Sequence, residues 1–272
     1  MLQHESWQAA LLGILQGATE FLPISSSAHL LLMPWLLGWK PLGLTFDVLI
    51  HGGTLAAVMI YFIKDWKDLS QQTLKGILSQ STQQSRLLSA LVVGTLPAVL
   101  VGWLLEDVIV TYLRSPAVVV LTLSGFGLVL WWADQHGSQQ RQLHSVRIRD
   151  GLLVGMAQAL ALVPGVSRSG VTISAALLLG ISRADAARFS FLLGTPLLLA
   201  ATLRSVYQLW QVDLGTGQPV LPVVIGVLFS FCSGYLCIRY FLSFLQTRTY
   251  RPFVVYRLGL AAFILLLLVL GV

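Results

Sequence analysis

The sequence predicts an all-α membrane protein with six transmembrane helices and two re-entrant helical hairpins, arranged as an inverted-topology repeat. Three observations predict it. The 272 residues are 56% apolar and only 10% charged, with a mean hydropathy of +0.80. Six apolar stretches are long enough to cross a bilayer, which takes about 20 apolar residues in a helix. Two further apolar regions are interrupted by clusters of proline, glycine and serine. A soluble domain carries about 25% charged residues because its surface faces water. A soluble enzyme, a disordered chain and a nucleic-acid binder are therefore poor readings. The net charge of +6 is read as basic excess in cytoplasmic loops, and no nucleic-acid partner is expected.

The uninterrupted spans are expected at 44–63, 87–105, 116–133, 188–207, 221–241 and 254–271. Residues 9–38 are broken at Phe21-Leu22-Pro23-Ile24-Ser25-Ser26-Ser27, and 151–181 at Val163-Pro164-Gly165-Val166-Ser167-Arg168-Ser169-Gly170. Each half is about 12 residues long, too short to span. Such clusters end one helix and cap the next. At membrane depth an irregular backbone is tolerated only inside protein or beside a watery cavity. Both regions therefore read as hairpins that return to the side they entered.

Charge placement sets orientation. With these spans, thirteen cations, Arg257 among them, fall on one side, and only Lys40, Arg114 and Arg204 on the other. The positive-inside rule puts the crowded side in the cytoplasm and both termini outside. The order hairpin, three spans, hairpin, three spans makes one membrane domain over 1–272, with inverted halves at about 1–135 and 145–272. Cys232 and Cys237 lack metal-ligand spacing and read as small core residues. The first eight residues lack a basic region and a small-residue cleavage site, so no removed signal peptide is expected.

The breaks hold the chemistry. Gln16 and Glu20, four apart, share a helical face. A carboxylate within a membrane segment is costly and implies function. Ser25, Ser26 and Ser27 suit a helix N-terminus whose N–H groups receive an anion. His29, three residues after Ser26, shares its face and suits acid–base work. In the second break, Arg168 has the planar fork that fits phosphate oxygens. Ser167, Ser169, Thr172 and Gln158 add hydrogen-bonding groups around it. A purely structural Glu20–Arg168 ion pair is the competing interpretation. A carboxylate beside an anion makes sense when a divalent cation bridges them, and Mg²⁺ takes only one or two protein carboxylates. Glu20 is the expected metal ligand, with Ca²⁺ the second choice of ion. Asp47 and His51 open the first full span and either line the same cavity or face the interface. Glu106 and Asp107 read as an outer loop, and Trp131, Trp132, Trp66 and Tyr61 as interfacial aromatics.

The run from Gln16 through Glu20 and Pro23 to Ser25-Ser26-Ser27-Ala28-His29 resembles the first signature of the bacterial undecaprenyl-diphosphatase family, linked to bacitracin resistance. Pro164-Gly165-Val166-Ser167-Arg168-Ser169-Gly170-Val171-Thr172 resembles the second, and Arg188 to Leu193 followed by Pro196 is also similar to the family. The resemblance implies a multi-pass enzyme of the bacterial plasma membrane that releases phosphate from a polyprenyl diphosphate lipid. The lipid carrier for cell-wall synthesis is thereby recycled, in a site open to the extracytoplasmic side. It also implies a divalent-metal requirement, with Glu20 serving the metal and Ser26 a nucleophile. His29 would be the proton partner of Ser26, and Arg168 the phosphate clamp. Position 16 is acidic in some members and glutamine here, which leaves Glu20 the heavier role. A polyprenyl-phosphate flippase using the same anion site is the alternative. A homodimer is compatible with the sequence.

Overall fold

The computed structural model describes residues 2–78, 83–211 and 220–271, and these are helical throughout apart from short connections. The helices are α1 Leu2–Phe21, α2 Ser26–Leu37, α3 Leu44–Tyr61, α4 Ile63–Leu78, α5 Gln83–Tyr112, α6 Pro116–His136, α7 Ile148–Leu160, α8 Arg168–Leu178, α9 Arg183–Gln211, α10 Val220–Leu245 and α11 Arg251–Leu270. Segments of α5, α6, α9, α10 and α11 are long and apolar enough to cross a membrane. The bent pair α3–α4 makes a sixth candidate, turning by 67°. Large apolar side chains such as Trp103, Leu121 and Val269 stand 73–75% exposed, as lipid-facing surface requires.

Four expectations are corrected. Residues 64–78, which the expected spans 44–63 and 87–105 leave as a cytoplasmic loop, instead continue as the helix α4, with Lys64, Lys67 and Asp68 exposed and Leu69 buried. Glu106 and Asp107 lie within α5, which runs on to Tyr112, because no proline or glycine stops it after Leu105. The helix before the first break is 20 residues long instead of about 12, since no proline or glycine interrupts Gln3 to Gln8. Arg257 belongs to no cationic surface: its side chain is completely buried. The aromatic set divides, with Trp131 and Trp132 exposed on α6 and Tyr61 and Trp66 packed on the main core.

The two broken regions have the same local construction. Ser25 and Ser167 precede α2 and α8, each with φ 73°, and each hydroxyl caps its helix by accepting from the backbone N–H three residues on. A non-glycine residue at positive φ is uncommon. Here the cap bond and the packed tip hold it. Helix α2 closes on Gly38 in the left-handed conformation and the second unit closes at Gly180, φ +84°. At the ends of both units the backbone must take a form that side chains resist.

Helix α1 packs along α10, and α7 along α5. Both approaches are glycine-made: a methyl on Gly13 would strike the backbone of Gly226, and one on Gly155 that of Gly94. Small residues let helix backbones approach closely where no hydrophobic force separates lipid from helix. The main core, including Phe21, Phe62, Leu130, Ile173, Phe189, Phe191 and Phe241, lies between these pairs. Phe21 and Phe191 meet edge to face at 5.1 Å directly beside Glu20 and Ser190.

Candidate functional site

Glu20 is the last polar residue of α1 before the break, and Arg168 is the first residue of α8. The tips bring them together. Arg168 donates to Glu20 Oε1 from Nη2 at 2.9 Å and from Nε at 3.3 Å. The two side chains are 4% and 10% exposed. Arg168 Nη1 also donates to the carbonyl of Ser190 on α9 at 3.2 Å. Gly194 makes room for the guanidinium, since a methyl there would collide with it.

The other carboxylate oxygen collects donors. Ser26 Oγ donates to Glu20 Oε2 at 2.7 Å, and Gln16 Nε2 donates to the same atom at 3.0 Å. His51 Nε2 stands 3.6 Å away. The His51 Nδ1–H donates to the Asp47 carbonyl at 2.6 Å. A carbonyl can only accept, so Nδ1 must carry a proton and Nε2 is the nitrogen turned to the site. His51 therefore belongs to the cluster, whereas Asp47 turns its carboxylate to Arg114 at 3.7 Å.

The remaining predicted residues separate into groups. Ser25 and Ser27 lie 3.2 Å apart, oxygen to oxygen, and Ser167 and Ser169 repeat that spacing at 3.2 Å. Ser169 donates across to the Leu22 carbonyl at 2.9 Å, tying one tip to the other. Thr172 donates to the Arg168 carbonyl at 2.7 Å and shares a 2.6 Å bond with Ser190. His29 does not hydrogen-bond to Ser26. Its Nδ1–H donates to the Ser25 carbonyl at 2.7 Å, and its Nε2 accepts from the Tyr256 hydroxyl at 2.6 Å. The helical spacing put His29 and Ser26 on one face, but it is the carboxylate of Glu20 that accepts the serine hydrogen bond. Gln158 is fully buried on α7 with neither amide atom bonded, and it makes no bond to the Glu20 cluster.

Sequence reasoning missed Tyr256 and Arg257. Both sit on α11, far along the chain from the breaks, and nothing in their apolar surroundings marks them. The one available signal was two polar side chains inside an otherwise apolar span.

Chemically, the arrangement is a buried carboxylate shared by a guanidinium and a serine hydroxyl, beneath two capped helix N-termini. Such N-termini carry partial positive charge and free N–H groups. The chain is a multi-pass membrane protein whose two broken regions meet at a buried, charged cluster. Residues 9–263 match the family described as bacitracin resistance protein BacA. The undecaprenyl-diphosphatase of Chromohalobacter salexigens is 50% identical over 258 residues, covering 93% of this chain and 96% of that protein. That of Moorella thermoacetica is 45% identical over 257 residues, covering 94% and 95%. That of Thermomicrobium roseum is 46% identical over 270 residues, covering 96% and 97%. The chain belongs to the BacA family.

Proposed function

We propose that this protein hydrolyses undecaprenyl diphosphate to undecaprenyl phosphate and inorganic phosphate, and so recycles the lipid carrier for cell-wall synthesis. The observation that carries the reading is the meeting of Glu20, Ser26 and Arg168 in a chain 45–50% identical to undecaprenyl-diphosphatases over nearly its whole length. The lipid tail lies among the apolar helices, and the diphosphate enters at the capped tips.

Ser26 is the proposed nucleophile and Glu20, not His29, its base. The Ser26 proton passes to Glu20 Oε2 as Oγ bonds to the terminal phosphorus and the bond to the bridging oxygen breaks, releasing undecaprenyl phosphate. Water then bonds to phosphorus as the Ser26 Oγ–P bond breaks; the protonated Glu20 returns its proton to Oγ, and the water's protons leave on inorganic phosphate, which restores the serine hydroxyl and the carboxylate. Arg168 and the tip N–H groups hold the charge of the transferring phosphoryl group. Ser25, Ser27, Ser167, Ser169 and Thr172 fix the tips and offer hydroxyls to phosphate oxygens. A variant in which water attacks directly, with Glu20 as base, gives the same products without the phosphoserine.

A divalent cation, Mg²⁺ before Ca²⁺, fits the donors present. Gln16 Oε1 is buried beside Glu20 with no hydrogen-bond partner, so a hard oxygen ligand stands ready next to the carboxylate. Glu20 and Gln16 would hold the ion, and among the described residues no group of three acidic, histidine or cysteine side chains competes. When bound, the ion would neutralise charge on the diphosphate oxygens.

The inverted repeat is proposed on positional grounds. One constant separation along the chain pairs Gly13 with Gly155, Gln16 with Gln158, Ser25 with Ser167 and Ser27 with Ser169. Under that pairing, α1 on α10 corresponds to α7 on α5, with Gly13 and Gly155 at matched positions in the two contacts although their partners Gly226 and Gly94 are not. Two re-entrant hairpins entering from opposite leaflets fit this symmetry. The positive-inside rule favours an orientation with both termini outside, and the family resemblance supports a bacterial plasma membrane location with a site open to the extracytoplasmic side.

Phosphate release by the purified protein in detergent tests the function. Hydrolysis needs one compartment and transport two, so release separates the enzyme from a flippase. Glu20→Ala and Arg168→Ala should lose release while remaining folded, and full activity in either refutes its role.

A further inference from the structure

We propose that Arg257 is a positioning residue for this hydrolysis, a buried cation that holds both tips in register so that Glu20, Ser26 and Arg168 meet. The proposal rests on the phosphatase reading above. The Arg257 side chain is completely buried. Its Nε donates to the Leu123 carbonyl at 3.1 Å, and Nη1 to those of Pro23 and Val166 at 3.1 Å each. Nη2 donates to the carbonyls of Thr122, Gly165 and Val166 at 3.2, 3.0 and 3.1 Å. Every partner is a backbone oxygen, and none of the ion pairs among the described residues includes this guanidinium.

An unpaired buried charge is among the most expensive groups to keep. A leucine would fill the place at far lower cost, so the charge calls for an explanation in what it holds. The breaks leave carbonyls of Pro23, Gly165 and Val166 outside helical ladders, in a buried setting where a lone carbonyl is costly. Arg257 satisfies all three at once. Pro23 lies midway between Glu20 and Ser26, and Val166 two residues before Arg168. Fixing those carbonyls against α6 fixes where Ser26 and Arg168 stand relative to Glu20. A misplacement of about 1 Å at a reacting centre costs on the order of 100-fold in rate.

Only arginine fits this task. Its five N–H donors fan out in one plane and reach three separate segments, whereas an ammonium offers three donors at one point. The surroundings are cut to the fork: a methyl on Gly170 would come 3.0 Å from Nη1, and one on Gly127 3.5 Å from Nε. Thr122, on the same turn of α6, adds its own bond from Oγ1 to the Pro164 carbonyl at 2.7 Å.

The test compares wild type with Arg257→Lys and Arg257→Gln in detergent, on a polyprenyl diphosphate substrate. Competent molecules are counted by stoichiometric binding of a non-hydrolysable polyprenyl methylenediphosphonate. Both variants should lose about 10- to 100-fold in kcat per competent molecule, with KM moving less than about threefold. Charge alone does not rescue, so lysine should behave like glutamine. A residue important only for global stability would reduce the number of competent molecules and leave their kcat unchanged. That result, or wild-type kcat in Arg257→Lys, overturns the proposal. If both variants fail to fold, Thr122→Val removes one bond from the same clamp, and its kcat should drop about 3- to 10-fold at constant KM; wild-type kcat there overturns it instead. Absence of release by the wild type would refute the phosphatase reading, whereas release unaffected by the substitutions refutes the clamp alone.

Discussion

Arg168 Nη2 lies 2.9 Å from Glu20 Oε1 across 148 residues of chain, and Ser26 Oγ lies 2.7 Å from the other oxygen of the same carboxylate. One carboxylate therefore ties the two tips and also faces the hydroxyl proposed to attack. The ion pair alone would be a poor stabilising device, since burying two charges returns little net energy. Its placement beside a serine at a helix N-terminus gives it a chemical use.

Glu20→Gln should abolish turnover by about 1,000-fold or more, because it removes the base for Ser26 and the partner of Arg168 together. It should also destabilise the fold by about 3–5 kcal/mol through the stranded guanidinium. The double variant Glu20→Gln/Arg168→Gln should be more stable than Glu20→Gln alone. Thermal unfolding in detergent checks the sign, and additive losses would contradict the coupling.

Ser26→Ala should reduce kcat by about 100-fold or more while leaving the binding of a diphosphonate analogue nearly intact. Substrate labelled in the terminal phosphoryl group, quenched rapidly in acid, should leave label on Ser26 of the wild type. An unlabelled protein with normal turnover would favour direct attack by water, with Glu20 still as base.

Tyr256→Phe removes the donor to His29 Nε2. The loss of one neutral hydrogen bond is worth about 1 kcal/mol, which is about 5-fold in an equilibrium or a rate. If His29 handles protons during turnover, kcat should fall by that factor and its pH profile should shift. An unchanged profile, with only a lower melting temperature, would make the pair a structural brace for α11 against the first tip.

Much of the site was legible because the expensive features sit in the sequence itself. A glutamate and an arginine in otherwise apolar stretches, each beside a proline-serine break, had no cheaper purpose than meeting. The caps were equally readable, since serine before an apolar helix has one common use. His29 was misplaced relative to Ser26 because helical spacing reports a shared face but not which neighbour takes a proton. Arg257, near the start of the last span, groups with the cytoplasmic-side cations in the sequence because its role depends on carbonyls 91 and 234 residues away. Periodicity carries no information about such partners. The extent of α5 past Leu105 was missed for a simpler reason: Glu106 and Asp107 suggested solvent, yet nothing there breaks a helix.

The glycine contacts carry a stability prediction. Gly155→Leu and Gly13→Leu should each destabilise by about 1–3 kcal/mol or more, since a side chain must displace the facing backbone of α5 or α10. If the two positions are related by the repeat, their effects should be similar and additive, as distant sites usually are. Gly125→Leu is the control, because a methyl there meets nothing within 4 Å. It should unfold within about 0.5 kcal/mol of wild type, as exposed substitutions do.

Gln16→Glu tests the metal directly. The residue stands four before Glu20, with its amide nitrogen already on Glu20 Oε2 and its oxygen buried without a partner. A second carboxylate at that place would repel Glu20 in the absence of a cation and join it in binding one. The variant should therefore be less stable than wild type in EDTA and recover stability on addition of Mg²⁺, and its activity should reach half-maximum at lower Mg²⁺ than that of wild type. A carboxylate pair worth an extra 1.4 kcal/mol of binding moves that midpoint by about tenfold. Equal Mg²⁺ midpoints in the two proteins would remove Gln16 from the metal site and leave Glu20 to act on the substrate as a base alone.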